Sequence, residues 1–225
     1  MCASSLSPEL SVHDDPSAAA EQAADLLAEA LREAVEARGH GSLAVSGGRA
    51  GQLFEALGSR PVPWDHVEVF QVDERVAPEG HEDRNLGLLR SHLPEAALGR
   101  VRPMPVTDPD LEAAAAAYAA ALPARLDAVH LGLGGDGHTA SLVPNDPVLH
   151  VGDRDVAVSA PYEGRRRMTL TFPALARSGV VVWLVTGADK AGALRRLVEA
   201  DMAIPATHVA APHQVIVADR AAAGR

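Results

Sequence analysis

Apolar residues recur at helical spacing through "PSAAAEQAADLLAEALREAVEARG" (16–39). Asp14 or Asp15 stands where an N-cap belongs, Pro16 suits the first helical position and Gly39 supplies a stop, so the pattern predicts a long amphipathic helix. The period then changes. "SLAVS" (42–46) is a short apolar run of strand length that opens into Gly47 and Gly48, and "AGQLFEALG" (50–58) returns to helical spacing. The alternation continues with a strand "HVEVFQVDER" (66–75), a helix "NLGLLRSHL" (85–93) and an Ala-rich helix over about 110–121. Strands "AVHLGLG" (128–134) and "GVVVWLVTG" (179–187) follow, then a helix "DKAGALRRLVEA" (189–200), a strand "QVIVAD" (214–219) and a short terminal helix.

Short apolar strands between amphipathic helices predict an α/β fold, with a mainly parallel, open, Rossmann-like sheet and helices on both faces. One domain should span 1–225, with 1–13 as a flexible N-terminus. In such sheets ligands bind beyond the carboxyl ends of the strands. Four polar or glycine-rich segments follow strands here: 46–49 (Ser46, Gly47, Gly48, Arg49), 73–75 (Asp73, Glu74, Arg75), 134–138 and 187–190.

Composition narrows the partners. Of 225 residues 47% are hydrophobic but only 3% aromatic, so Ala, Val and Leu must build the core. A net charge of -10 disfavours nonspecific nucleic-acid or anionic-lipid binding. An anionic ligand therefore needs a local cluster of Arg and Lys, which suffices because distant surface charge is screened beyond about 8 Å at physiological salt. The single cysteine, Cys2, rules out an intramolecular disulfide and a Cys-based metal site. The start "MCASSLSPELSVHDDPS" has neither the basic opening nor the apolar segment of a signal peptide or anchor, so a soluble cytoplasmic protein is expected.

The densest chemistry lies in "LGLGGDGHTASLVPND" (131–146). Gly132, Gly134 and Gly137 satisfy G-x-G-x-x-G, yet Pro144 and Pro147 forbid the long helix that a dinucleotide fingerprint should open. Without a dinucleotide, the glycines instead let backbone approach a small ligand while Asp136 and His138 are presented at the sheet's ligand edge. Histidine is the side chain best suited to take up a proton near neutral pH. Asp136 either caps the turn or takes part in the chemistry.

"LDAVHLGLGGDGHTASLVPND" resembles the signature block of the 6-phosphogluconolactonases, and further blocks agree in order and spacing: "SGG" (46–48), "VDERVAP" (72–78), "RRMTLTFPAL" (166–175), "VTGADKAGAL" (185–194) and "IPATHV" (204–209). The resemblance implies a glucosamine-6-phosphate deaminase-like fold and hydrolysis of a sugar-phosphate lactone, with no metal and no cofactor. It further implies that His138 acts as general base on water. Asp136 would orient the imidazole or the loop, and backbone N–H groups of 134–137, Gly135 among them, would serve the oxyanion.

Phosphate recognition is expected at the Gly47-Gly48 turn and the helix that follows it, with Arg167 and Lys190 as the main cations and Arg75 as a third. A lysine in a first helical turn opposes the macrodipole, which favours an anionic partner for Lys190. Arg75 is open to an ion pair with Asp73 or Glu74, and Asp73 to sugar hydroxyls or to Arg75. Asn85 reads as a helix cap, Arg165 and Arg166 as a solvated edge, and Ser141 as a remote candidate nucleophile. Many members of the family carry Ser-Thr-Pro after the two glycines; Arg49, Ala50 and Gly51 stand here instead, so Arg49 either supplies charge or points outward.

Two alternatives remain. Glucosamine-6-phosphate deaminases resemble this chain but carry Glu five residues past the histidine, where Val143 stands. Sugar-phosphate sensors of related fold carry a helix-turn-helix, for which the residues before the first helix are too few. Nothing in the sequence sets the oligomeric state.

Overall fold

Each end of the first long helix is closed by a residue suited to it, as its sequence predicts. In the computed structural model, which describes residues 8–225, Asp15 accepts the Ala18 N–H and Gly39, at φ 78°, sends its own N–H to the Val35 carbonyl. Ahead of this helix comes β1 (Glu9–His13), which pairs in parallel with the final strand. Glu9–His13 is therefore an edge strand and not the flexible segment expected, because its inner backbone groups are held by residues 215–219. Cys2 and the start of that segment lie outside the described residues.

The remaining elements are α1 (Pro16–Arg38), β2 (Gly41–Val45), α2 (Gly51–Gly58), β3 (Val67–Gln71), β4 (Asp73–Arg75), α3 (Asn85–His92), α4 (Glu95–Leu98), β5 (Val101–Arg102) and α5 (Leu111–Ala121). They continue as β6 (Leu126–Leu131), β7 (Val156–Val158), β8 (Arg167–Leu170), α6 (Phe172–Ala176), β9 (Ser178–Val185), α7 (Ala191–Val198) and β10 (Gln214–Asp219). Seven strands form a wholly parallel sheet in the order β1-β10-β9-β6-β2-β3-β5. From β2 the chain steps outward through β3 to β5, then returns to lay β6, β9 and β10 on the other side. The order reverses between β2 and β6, and a crevice opens beyond their carboxyl ends at such a point.

Both sheet faces are covered, as the continuous apolar strands require. Leu43, Val45, Val69, Ala128 and Val182 pack with α1 and α2, while Ala44, Phe70, Val129, Val181 and Trp183 pack with Tyr118 of α5, Leu194 of α7 and the small second sheet. No helix among the described residues is long and apolar enough to cross a membrane.

Two elements differ from the sequence reading. The run 66–75 is not one strand: it leaves the main sheet after Gln71, and β4 joins a three-stranded antiparallel sheet, β4-β8-β7. At the departure the buried Gln71 side chain accepts from the Met104 N–H (2.8 Å) and donates to Glu74 (2.9 Å), contacts that hold the chain on its new course. The expected terminal helix is a set of turns, in which Asp219 accepts the N–H groups of Ala222 (2.7 Å) and Gly187 (3.1 Å).

Candidate active site

The crevice between β2 and β6 is a cleft of about 190 Å³. It is lined by the turn after β2 (Ser46, Gly47, Gly48, Arg49), the loop after β6 (Gly132, Gly134, His138), the segment after β9 (Thr186, Lys190) and the second sheet (Asp73, Arg75, Arg167). The small sheet thus swings residues distant in sequence over the carboxyl edge of the large one. Of the residues expected to act in the site, His138, Gly47, Gly48, Arg49, Asp73, Arg75, Gly134, Arg167 and Lys190 line this cleft, and Gly135, Asp136, Gly137 and Ser141 do not.

His138 is about one quarter exposed, and its Nδ1 lies 2.6 Å from Asp136 Oδ1. Partial burial pushes the Asp136 carboxyl up, but the His138 backbone N–H, the imidazole charge and the side-chain hydrogen bond outweigh it, and the group titrates below its ordinary value. An ionised carboxylate only accepts, so the proton of neutral His138 resides on Nδ1 and Nε2 carries the lone pair. Asp136 contacts the imidazole from behind and does not line the cleft.

Two glycines of this loop are required for space. A Cβ on Gly134 would come within 2.2 Å of His138 Nδ1, and one on Gly137, at φ 87°, within 2.5 Å of Ile204. The oxyanion role expected of the loop amides is corrected in part. Gly134 N–H already donates to the His138 carbonyl (2.8 Å) and Gly137 N–H to the Gly134 carbonyl (3.0 Å). Gly135 is exposed and does not line the cleft; it faces the Asp189 carbonyl instead.

Asp73 is buried and accepts from the Ser141 hydroxyl at 2.7 Å, which leaves Ser141 as a support and not a nucleophile paired with His138. Burial drives the Asp73 carboxyl above its ordinary range, against the pull of Ser141, Arg75 and Arg167. Arg75 makes no ion pair with Asp73 or Glu74; it donates to the Asp83 carbonyl (2.7 Å). Fully buried Glu74 takes Arg84 at 3.0 Å and caps α3 from across the cleft wall, accepting the N–H groups of Asn85 (2.7 Å) and Leu86 (2.9 Å). Asn85 is therefore not the cap. Its amide holds the Asp73 carbonyl at 2.9 Å, and its Oδ1 would lie 2.1 Å from a Cβ on Gly47, so that position must be glycine.

Arg167 is buried, with NH2 on Glu163 (2.8 Å) and its guanidinium 4.8 Å above the Tyr162 ring. Arg49 faces neither solvent alone nor the cleft alone: it bridges to Asp189 (2.9 Å), which also lies 3.5 Å from Lys190 Nζ. Arg165 is half-buried and tied to Asp83 and His81, unlike the solvated edge expected, whereas Arg166 is exposed. Sequence reasoning missed His130, whose signal was a lone histidine inside an apolar strand. It is buried at the cleft floor against Phe54, and burial lowers its pKa to about 4. Ser46 Oγ, Arg75 Nε, His130 Nδ1 and Arg167 Nε are all buried without a hydrogen-bond partner, and all belong to residues of this one cleft. Buried polar atoms are ordinarily satisfied, so such a concentration marks a site built for a polar ligand.

A family profile described as "Glucosamine-6-phosphate isomerases/6-phosphogluconolactonase" matches residues 14–218. The chain is 39% identical to the 6-phosphogluconolactonase of Synechocystis over 182 residues, 73% of this chain and 74% of that protein. It is 38% identical to that of Pseudomonas aeruginosa over 191 residues, 78% and 80% of the two chains. A 6-phosphogluconolactonase structure from Shewanella baltica superposes with a TM-score of 0.84 at 29% identity, covering 94% of this chain and 97% of the other. A monomeric glucosamine-6-phosphate deaminase shares the fold, with a TM-score of 0.85 at 17% identity. With the profile spanning nearly the whole molecule, the chain belongs to the glucosamine-6-phosphate isomerase/6-phosphogluconolactonase family.

Proposed function

We propose that this protein hydrolyses 6-phospho-D-glucono-1,5-lactone to 6-phospho-D-gluconate in the cytoplasm, with His138 as general base. The observation that carries this reading is that His138, hydrogen-bonded to Asp136 behind it, lines the same cleft as buried Arg167 and half-buried Arg75 and Lys190. His138 Nε2 takes a proton from water as its oxygen adds to the lactone carbonyl; collapse breaks the bond to the ring oxygen, and the proton returns from the imidazolium to that leaving oxygen. Asp136 keeps the lone pair on Nε2 and steadies the imidazolium.

Charge on the substrate is met by Arg75, Arg167 and Lys190. The phosphate is held by Lys190 and Arg167 with the Gly47-Gly48 turn, which leads through Arg49 and Ala50 into α2, a helix whose start carries no side-chain cap. Arg49 lies beside Lys190 through their common partner Asp189 and adds charge at the same lip. Asp73, carrying a carboxylate into a buried position, accepts from sugar hydroxyls; perturbed ionisable groups in a cleft are a mark of function. Val143 is buried and apolar, so the carboxylate that a deaminase needs at that position has no counterpart.

The test is a coupled assay on freshly generated lactone, scored as acceleration over spontaneous hydrolysis. Acceleration without ammonia release from glucosamine 6-phosphate supports the reading. Ammonia release at a comparable rate overturns it.

A further inference from the structure

We infer that Tyr162 is a positioning residue that ties the base end of the cleft to its cation end. The inference rests on the lactonase reading for its kinetic consequences, but the contacts stand independently. The Tyr162 hydroxyl donates to Asp136 Oδ2 at 3.3 Å, on the oxygen opposite the one that holds His138. Its ring meets the His138 imidazole edge to face, with centroids 5.6 Å apart, and its face carries the Arg167 guanidinium. One side chain thus touches the imidazole, its carboxylate partner and a buried arginine of the cleft.

The local sequence explains why this side chain holds its place. Tyr162 and Arg165 exchange both backbone hydrogen bonds, at 2.9 and 3.2 Å, around Glu163 and Gly164. Both central residues have positive φ, 50° and 81°, which is the two-residue hairpin turn whose twist matches that of paired strands. On its outer side the hairpin is anchored by Arg165 to Asp83 and His81, and on its inner side Glu163 reaches Arg167. Tyr162 is delivered to the site by a rigid turn fixed on both flanks. The environment agrees with this placement: burial, the Asp136 and Glu163 charges and the hydrogen bond raise the phenol's pKa, so it stays a donor at neutral pH.

The two contacts can be separated by substitution. Y162F keeps the ring and loses the hydroxyl, so kcat should fall about 3- to 10-fold, the scale of one ordinary hydrogen bond, since this one is long and partly exposed, with KM within about twofold. Y162A also removes the face under Arg167, and KM should then rise by about 2- to 6-fold, the loss of a cation–π contact. The readout independent of turnover is the downfield His138 Nδ1 proton in an NMR spectrum of the unliganded protein, which should broaden or shift in both variants. If the wild type fails to accelerate lactone hydrolysis, the lactonase reading is lost while the NMR arm still decides the role of Tyr162. Kinetic constants within twofold of wild type in both variants, together with an unchanged Nδ1 proton, overturn the inference. So does Y162F raising KM as much as Y162A.

Discussion

Gly134 offers the sharpest perturbation of the proposed base, because the atoms nearest to an Ala Cβ there belong to the imidazole and its Asp136 partner. The added Cβ would lie 2.2 Å from His138 Nδ1, 2.4 Å from its Cε1 and 2.7 Å from Asp136 Oδ1. Non-bonded heavy atoms settle at about 3.5 Å, so the ring must retreat by about 1 Å. Gly134 does not have a positive φ, and the obstructing atoms are tips of side chains able to rotate, so folding should lose no more than about 1 kcal/mol. Catalysis is less forgiving: a misplacement of about 1 Å can cost about 100-fold. Steady-state lactone hydrolysis by G134A, beside a thermal melt, should show kcat/KM reduced about 100-fold and a melting point within about 4 °C of wild type. A folded G134A turning over at the wild-type rate would refute the assignment of the imidazole as base.

His130 should make stability depend on acidity. Its folded pKa of about 4 lies below the ordinary 6.5, so the unfolded chain binds the proton first and stability falls as pH drops from 6.5 towards 4, by about 3 kcal/mol in all. Denaturant melts at pH 7 and pH 5 should show H130L losing about 2 kcal/mol less than wild type between them, and equal losses would contradict the burial argument. D73N removes a carboxylate whose pKa burial has raised, so at neutral pH it should melt higher than wild type while losing lactonase activity; a lower melting point would sink the reasoning. R167A and K190A should each weaken product binding by about 1.5–3 kcal/mol, read by calorimetry with 6-phosphogluconate, and unaltered affinity would show the phosphate to be elsewhere.

The large sheet was legible because each of its longer strands carries an apolar run between amphipathic helices, and the caps Asp15 and Gly39 declare themselves locally. The small sheet was not. "HVEVFQVDER" is strand-like throughout, and at the break after Gln71 its side chain is held by Met104 and Glu74, contacts that no local pattern announces. Within "RRR" Arg167, buried at the start of β8, could be told from solvent-facing Arg166, but the hold of Asp83 and His81 on Arg165 could not be seen, since both lie more than 80 residues away. His138, Asp136, Lys190 and the Gly47-Gly48 turn could be found because glycine spacing and strand ends flag them. Tyr162 and His130 matter only through contacts across the fold, Tyr162 with a loop 26 residues earlier and His130 with the floor of a cleft. Asn85 misled because helix starts so often carry a capping Asn; here Glu74 supplies that function from another strand.

Whether His138 activates water is decided by H138A, measured for acceleration of lactone hydrolysis and for affinity towards 6-phosphogluconate. Turnover should collapse towards the spontaneous rate while product affinity stays within a few-fold of wild type. Turnover by H138A at the rate of the unaltered protein would remove the imidazole from the chemistry.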